Sequence, residues 1–232
     1  MANLIKTYNV MLGELFPYFL HELNNPLMVL QALQSLYQPS KIGDASTHAN
    51  FLSDLDESSK KIMQSSAAGQ ILMQAKNFSM ACDLNRTIDA LLRFLRVKFR
   101  HRQVPLQIEQ SSDLSTRNPH AGEVILLLYT IFDIYYQHAI ENTKIDLLQP
   151  SDRTLHFFTS ADKVQFESPI FITPEYLQLS NTDPFSPEDL FIQSLPMQTD
   201  FSSTGLALSN KYNIHFKLFG LGDRFKLAMH LP

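Results

Sequence analysis

The sequence predicts an α+β protein in which a helical hairpin precedes a two-layer α/β sandwich with a mostly antiparallel sheet. Over most of the first 80 residues, apolar side chains recur at three- and four-residue spacing, which is typical of long amphipathic helices. From Asp83 onward, shorter helical patterns are interspersed with segments of alternating apolar residues, as in strands. This change divides the chain into two predicted domains, residues 1–80 and residues 81–232.

The first predicted helix runs from about Asn9 to Tyr37, where a segment with proline, serine and glycine ends it. Pro17 lies one turn before His21. We expect Pro17 to remove a backbone hydrogen bond and to bend the helix there. Pro26 should act in the same way one turn after His21.

The second predicted helix runs from about Ala45 to Phe78 and carries a narrow apolar seam with several small side chains. The seam residues are Leu52, Leu55, Ser59, Ile62, Ser66, Gly69 and Met73. Two helices with seams this thin cannot bury enough surface alone, so we expect a homodimer in which two hairpins form a four-helix bundle.

The second domain is predicted to begin with Asp83 as the N-cap of an amphipathic helix that ends near Phe99. Its further predicted elements are a strand at Val104–Ile108, an apolar helix at Gly122–Glu141, strands near Thr154–Phe158 and Val164–Glu167, a helix beginning near Thr204 and a hairpin around Gly220–Asp223.

Composition excludes several functional classes. A net charge of −4 without a basic tract argues against nucleic-acid binding. The densest basic cluster is interpreted as a solvated helix end; it comprises Arg93, Arg96, Lys98, Arg100 and Arg102. Cys82 is the only cysteine, which excludes a disulfide framework and a thiolate metal site. The longest apolar run, Val124 to Phe132, is too short to cross a bilayer, and the N-terminus lacks signal-peptide features. We therefore expect a cytoplasmic protein with no membrane association.

The most informative local pattern surrounds His21. A stripe of leucines marks one helix face; its members are Leu20, Leu23, Leu27 and Leu30. His21 lies beside this stripe, so its imidazole is expected to be partly in solvent, with Glu22 next to it and Asn25 one turn on. An imidazole that titrates near neutrality is a usable nucleophile. A lone histidine in such a position would be interpreted as a surface residue.

The run from His21 to Leu27, His-Glu-Leu-Asn-Asn-Pro-Leu, resembles the H-box of sensor histidine kinases, in which the histidine carries a phosphoryl group. The second domain resembles the ATP-binding domain of the same family, the Bergerat fold shared with gyrase-type ATPases. The last ten residues, Asp223 to Pro232, look like its closing strand. The resemblance covers nearly the whole chain from Leu15.

The resemblance also identifies nucleotide-binding positions at which this chain departs from the family. His138 stands where an asparagine binds Mg²⁺, and imidazole is a poor substitute because Mg²⁺ prefers oxygen ligands. Glu167 stands where an aspartate binds adenine, but the glycines that follow are replaced by Pro169 and Phe171. Of the three glycines that cradle phosphate at a helix start, Gly205 alone remains. We therefore predict loss of ATP binding, with no cofactor and no metal.

An intact H-box beside a degenerate nucleotide site resembles the dimeric histidine phosphotransferases of phosphorelays. His21 is then expected to accept a phosphoryl group from a phospho-aspartate on one receiver domain and to pass it to another. Glu22 would orient the imidazole or accept its proton, and Asn25 would position the phosphoryl group or a water. We expect no sensor domain before the H-box and no receiver domain after Pro232. The partners are therefore response-regulator receiver domains, with a histidine kinase as a further candidate.

Three alternatives remain open. A response-regulator phosphatase would use Asn25 to align water, and it would survive His21→Ala but not Asn25→Ala. A non-catalytic pseudokinase that binds a kinase or regulator would survive His21→Ala but not charge reversals on the bundle surface. An active kinase with an unusual nucleotide pocket would bind ATP.

Overall fold

The computed structural model describes residues 2–36, 45–101, 103–110, 117–118, 120–141, 154–160, 163–168, 200–214, 216–221 and 224–230. In chain order, the elements are α1 (Ala2–Leu36), α2 (Ala45–Ala75), β1 (Cys82–Asp83), α3 (Leu84–Arg100), β2 (Leu106–Gln110), β3 (Arg117–Asn118), α4 (Ala121–Glu141), β4 (Leu155–Ser160), β5 (Lys163–Ser168), α5 (Asp200–Lys211), β6 (Phe216–Leu221) and β7 (Arg224–His230).

The predicted α+β class is confirmed. Helices α1 and α2 pack against each other as a hairpin, and the remaining helices accompany a five-stranded sheet in the order β2-β4-β5-β7-β6. Only β2 and β4 are parallel; the other neighbours pair antiparallel, as predicted. The short strands β1 and β3, which were not predicted, pair with each other.

The start of α3 is formed as the sequence predicts. The carboxylate of Asp83 accepts a hydrogen bond from the backbone N–H of Arg86 at 3.0 Å, which satisfies a donor that the first helical turn leaves free. One face of α3 and almost all of α4 are buried. Phe132 of α4 packs on Phe157 and Phe166 of the sheet, with ring centroids 5.3 and 4.9 Å away. This aromatic contact joins the helical layer to the sheet.

Helix α1 begins at Ala2, earlier than the predicted Asn9, because its first turns are held by α5 and by α2. The hydroxyl of Tyr8 donates to the carbonyl of Leu72 at 3.0 Å. The hydroxyls of Thr7 and Thr204 are hydrogen-bonded at 3.1 Å, although the two residues are far apart in sequence. Such tertiary contacts extend a helix beyond the limits that local pattern suggests.

Helix α2 ends at Ala75 rather than near Phe78. A Cβ atom on Gly122, at the start of α4, would lie only 2.1 Å from the carbonyl oxygen of Ala75. Glycine therefore permits α4 to begin directly against the end of α2.

Helix α5 begins at Asp200, four residues before the predicted Thr204. Phe201 and Thr204 are both buried, so the first turn is fixed by packing rather than by a capping signal in the sequence. Strand β2 begins two residues after the predicted Val104, because the N–H of Val104 bonds to the carbonyl of Phe99 and closes the turn after α3.

The predicted seam of α2 is not the face that the chain itself buries. The buried residues of this helix form the neighbouring stripe Ser58, Ser65, Ala68, Leu72 and Ala75. Leu52, Leu55 and Met73 of the predicted seam are exposed, and Gly69 faces Phe19 of α1.

The basic cluster near the end of α3 is not simply a solvated helix end. Lys98 is buried and Arg93 is partly buried, whereas Arg96 and Arg100 are exposed as expected. Arg102 lies outside the described residues.

Pro17 and Pro26 both lie within the single helix α1, and the bend expected at Pro17 stays a prediction. None of the described helices combines the length and apolar character needed to cross a membrane.

Candidate functional site

His21 lies in the middle of α1, on the side that faces α3, and its imidazole is partly buried. The ring is in contact with the side-chain amide of Asn25, whose nitrogen lies 3.3 Å from Nδ1 of His21. The spacing of four residues places both side chains on one face of the helix, as the sequence predicts.

The Asn25 amide can favour one of the two neutral tautomers of the His21 ring. With its N–H₂ group towards Nδ1, the amide donates to an unprotonated Nδ1 and the ring proton lies on Nε2. A 180° rotation of the amide places its oxygen at Nδ1 instead. The oxygen accepts from a protonated Nδ1 and leaves a free lone pair on Nε2, which is the nucleophilic form.

Glu22 is next to His21 in the chain but points to a different partner. Its carboxylate Oε2 lies 3.4 Å from Nε of Arg93 on α3, and both side chains are partly buried. Arg93 also donates to Ser65 of α2 at 3.2 Å and to Gln64 at 3.4 Å. Arg93 therefore joins α1, α2 and α3 beside the histidine, while among the described residues Glu22 makes no hydrogen bond to His21.

His101, at the C-cap of α3, lies beside His21. The centroids of the two imidazole rings are 5.5 Å apart and the rings are nearly perpendicular, at 75°. The same His101 ring lies 5.8 Å from the ring of Tyr18, one turn earlier on α1. Two histidines thus meet at the contact between α1 and α3.

Arg93 and His101 were missed as site residues by the sequence interpretation. Arg93 was assigned to a solvated basic cluster, and His101 lies just beyond the predicted end of its helix. The only signal in the sequence is that a helix rich in basic residues follows the histidine-bearing hairpin. Their proximity to His21 depends on the packing of α1 against α3, which no local pattern reports.

A buried charged cluster two turns before His21 fixes this packing. Lys98 of α3 donates to Asp133 at 2.8 Å and to the hydroxyl of Tyr129 at 3.1 Å, both on α4. The Tyr129 hydroxyl donates in turn to the carboxylate of Glu14 on α1, which also lies 3.8 Å from the Lys98 ammonium. The ammonium lies 4.5 Å from the ring centroid of Tyr136. We call these residues the Lys98 cluster.

The environment of the Lys98 cluster strongly favours a neutral Tyr129. Burial raises the pKa of the Tyr129 hydroxyl well above its usual value, and the carboxylates of Asp133 and Glu14 raise this pKa further. The hydroxyl therefore stays protonated and donates to Glu14, and this hydrogen bond connects α1 to α4.

The degenerate nucleotide-binding positions can be located in part. Gly205 is buried five residues after the first residue of α5, Asp200, and so lies in its second turn. Glu167 lies in β5, in register with His156 on β4 and Lys226 on β7. The side chain of His138, on α4, and both Pro169 and Phe171 lie outside the described residues.

The first turn of α5 does not have the form of an open phosphate-binding helix start. Phosphate binding there depends on the free N–H groups of the first turn, and Gly205 lies beyond them. Phe201 in that turn is buried, with its ring centroid 5.2 Å from that of Tyr129, and Thr204 is bonded to Thr7. Among the described residues, no group of three or more His, Cys, Asp or Glu side chains could hold a metal ion.

No protein-family model matches the sequence, and no curated protein matches it. Solved structures that are similar include a bacterial phosphotransferase, at 12% identity and a TM-score of 0.41 over 95% of this chain and 96% of that one. A histidine kinase from Acinetobacter baumannii has 13% identity and a TM-score of 0.40 over 91% and 96%. The kinase domain of a blue-light activated histidine kinase from Erythrobacter litoralis has 14% identity and a TM-score of 0.44 over 96% and 94%. At these values, the similarity does not establish a shared activity.

Proposed function

We propose that this chain is a histidine phosphotransferase of a two-component phosphorelay. His21 accepts a phosphoryl group from a phospho-aspartate on one receiver domain and passes it to an aspartate on another. The observation that carries the proposal is the contact between the Asn25 amide and Nδ1 of a partly exposed His21, because the amide with its oxygen towards Nδ1 favours the tautomer in which the Nε2 lone pair is free.

The transfer is a displacement at phosphorus. The lone pair on Nε2 of His21 forms the N–P bond, while the P–O bond to the donor aspartate breaks and its electron pair leaves on the carboxylate. The ring is left as an N-phosphoryl imidazolium whose Nδ1 proton is held by the Asn25 oxygen or released to water. Transfer to the second receiver domain reverses these steps. Such reactions depend mainly on positioning and charge compensation.

The proposal includes transfer without ATP. It is supported by the first turn of α5, where Phe201 and Thr204 are buried and the remaining glycine lies too far along the helix to offer a free N–H. No step of the proposed mechanism uses a nucleotide.

The proposal also includes a homodimer with a four-helix bundle. Helices α1 and α2 leave an apolar groove of about 500 Å³ between them, and its lining includes Phe16, Gly69 and Met73. Phe16 and Met73 are each more than half exposed, at 54% and 57%. A groove of this kind on a helical hairpin is suited to the same hairpin of a second copy.

Phe16→Glu should convert the dimer to a monomer, as measured by light scattering. Asn9→Glu, at an exposed polar site on the same helix, should leave the dimer intact.

A second function, a response-regulator phosphatase, is favoured by one observation. The Asn25 side chain is exposed, so its amide could orient a water as well as an imidazole. A phosphatase would keep its activity in His21→Gln and lose it in Asn25→Ala. A phosphotransferase would lose label transfer in His21→Gln.

The deciding experiment offers a phosphorylated receiver domain, labelled on its aspartate, to the purified chain. Acid-labile, base-stable label on the wild type, absent from His21→Gln and retained by His48→Gln, is the expected result; His48 is an exposed histidine on α2. Transfer of label from the isolated phosphoprotein to a second receiver domain completes the test. Label acquired directly from γ-labelled ATP would contradict the part of the proposal that excludes ATP.

A further inference from the structure

We propose that His101 binds the phosphoryl group carried by His21 and acts as its counter-cation. The inference rests on the proposed function of His21 and names a second residue for the same site. The observations behind it are the ring contact between the two histidines, the position of His101 at the end of a helix, and the charge pairing of the other cations nearby.

The position of His101 relative to α1 is fixed from two sides. Its backbone N–H bonds to the carbonyls of Val97 and Phe99, which anchors it to the last turn of α3. Its ring lies 5.5 Å from that of His21 and 5.8 Å from that of Tyr18. Because Tyr18 and His21 are three residues apart, the His101 ring spans one turn of α1 at the histidine. The side chain is exposed, so an incoming phosphoryl group can reach it.

Two other cations of α3, which are wholly or partly buried, already have carboxylate partners. Arg93 pairs with Glu22, and Lys98 pairs with Asp133 and Glu14. Within the described part of the chain, the side chains in polar or ring contact with His21 are Asn25 and His101. Of these two, only His101 can carry a positive charge.

The charge state of His101 should follow the state of His21. In the unmodified protein, a positive charge on one ring opposes a positive charge on the other, because the two rings are in contact. A phosphoryl group on His21 brings about two negative charges, which favour protonation of His101. The C-terminal end of α3, where the helix dipole is negative, favours a cation at the same place.

The groups that surround His101 allow this change. Tyr18 and His21 face it from α1, and its own helix contributes Arg100, which is exposed, and Lys98, whose charge is balanced within the Lys98 cluster. No carboxylate among the described residues forms an ion pair with His101 that would fix it as a cation beforehand. The phosphoryl group would supply the missing anion.

The test uses phosphoramidate, a chemical donor that needs no enzyme. The Nε2 lone pair of His21 forms the new N–P bond, the P–N bond of the reagent breaks, and ammonia leaves. The full-length wild type is compared with His101→Gln, His101→Arg and the control His48→Gln, and His21→Gln defines the background. The rate at which His21 acquires phosphate is measured from pH 5.5 to pH 9.

The expected result is a pH-dependent advantage of the wild type. Near pH 6, His101→Gln should react about tenfold more slowly, the size expected for loss of one charge-assisted hydrogen bond. At the alkaline end of this range the two should converge, because a neutral imidazole offers no positive charge. His101→Arg should retain the fast rate up to pH 9, and His48→Gln should match the wild type throughout.

Equal rates for the wild type and His101→Gln at every pH would overturn the proposal. Equally slow rates for His101→Gln and His101→Arg would also overturn it, since they would indicate a structural role. Failure of the wild type to accept phosphate on His21 from phosphoramidate would count against it too. The relay function is decided separately by transfer from a phosphorylated receiver domain, so the two proposals can fail independently.

Discussion

The guanidinium of Arg93 on α3 pairs with the carboxylate of Glu22, the residue adjacent to His21, at an Nε–Oε2 distance of 3.4 Å. This ion pair neutralises the Glu22 carboxylate beside the histidine and directs the carboxylate away from the imidazole. Because phosphoryl transfer brings further negative charge to the same place, an unpaired Glu22 would oppose it.

Removal of Arg93 should therefore slow phosphoryl transfer to His21. We expect Arg93→Ala to reduce the rate about tenfold, which corresponds to about 1.4 kcal/mol. In a Glu22→Gln background the same substitution should have little effect, because the charge that Arg93 neutralises is gone. Label transfer from a phosphorylated receiver domain measures this double-mutant cycle. Arg96→Ala, at an exposed arginine on the same helix, is the control. Equal effects of Arg93→Ala in both backgrounds would show that the pair is not coupled to transfer.

Asn25 should control the tautomer of His21. Asn25→Ala removes the only side-chain hydrogen bond to Nδ1 among the described residues, so the ratio of the two neutral tautomers should shift towards that of a free imidazole. Imidazole ¹⁵N chemical shifts of His21 measure that ratio directly. Phosphoryl acceptance should fall roughly tenfold, since the loss of one hydrogen bond to a charged group is worth about 1.5 kcal/mol or more. Asn24→Ala, at the neighbouring exposed asparagine, should change neither quantity. Unchanged ¹⁵N shifts in Asn25→Ala would refute the assignment.

How much of this site the sequence could predict depends on the distance over which each contact acts. The contact between His21 and Asn25 lies within one helix, and the cap at Asp83 lies within one turn, so both follow from spacing. The antiparallel hairpin of β6 and β7 also follows from a local turn signal. By contrast, the burial of Lys98 and the pairing of Arg93 depend on how α3 packs against α1 and α4. Because both side chains are basic, residue type alone predicts that both are exposed to solvent. The packing of α3 buries one of them and partly buries the other.

The same limit applies to the element boundaries. The early start of α5 is fixed by Phe201 and Thr204, which pack on helices that precede them by many residues. The seam of α2 shows a related limit, because two adjacent stripes of this helix carry apolar and small side chains. Periodicity predicts one stripe as the buried one, and the chain buries the other. Only the packing of α1 and α3 against α2 decides which stripe is buried.

Lys98 should be essential to the stability of the second domain and its contact with α1. Its side chain is 5% exposed and that of Asp133 is 10% exposed, so Lys98→Met leaves a buried carboxylate without its partner. We expect the free energy of unfolding to fall by about 3–5 kcal/mol, as for other broken buried ion pairs. Urea denaturation followed by circular dichroism measures the loss. Lys60→Met disrupts an exposed ion pair with Asp56 and should leave the free energy of unfolding almost unchanged. A comparable loss in the two variants would mean that Lys98 is not held as the structure indicates.

Tyr129 should make the protein sensitive to alkaline pH. Burial raises the pKa of its hydroxyl well above its usual value, so the folded state keeps a proton that the unfolded chain releases above about pH 10. The stabilising contribution is fully present below that pH and declines as pH rises towards the folded-state pKa. One such group lowers the free energy of unfolding by up to about 1.4 kcal/mol per pH unit. Tyr129→Phe should therefore reduce the slope of stability against pH between about pH 10 and pH 11.5.

At neutral pH, by contrast, Tyr129→Phe should lower the stability of the protein. Tyr129→Phe removes the hydrogen bonds to Glu14 and Lys98, which should cost about 1–3 kcal/mol. Tyr135→Phe provides the comparison, because burial also raises the pKa of Tyr135, but this residue lies outside the Lys98 cluster. It should reduce the alkaline slope without loosening α1. The readout for α1 is amide hydrogen exchange near Glu14, which should become faster in Tyr129→Phe only. An unchanged alkaline slope in Tyr129→Phe would mean that the hydroxyl ionises equally readily in the folded and unfolded chains.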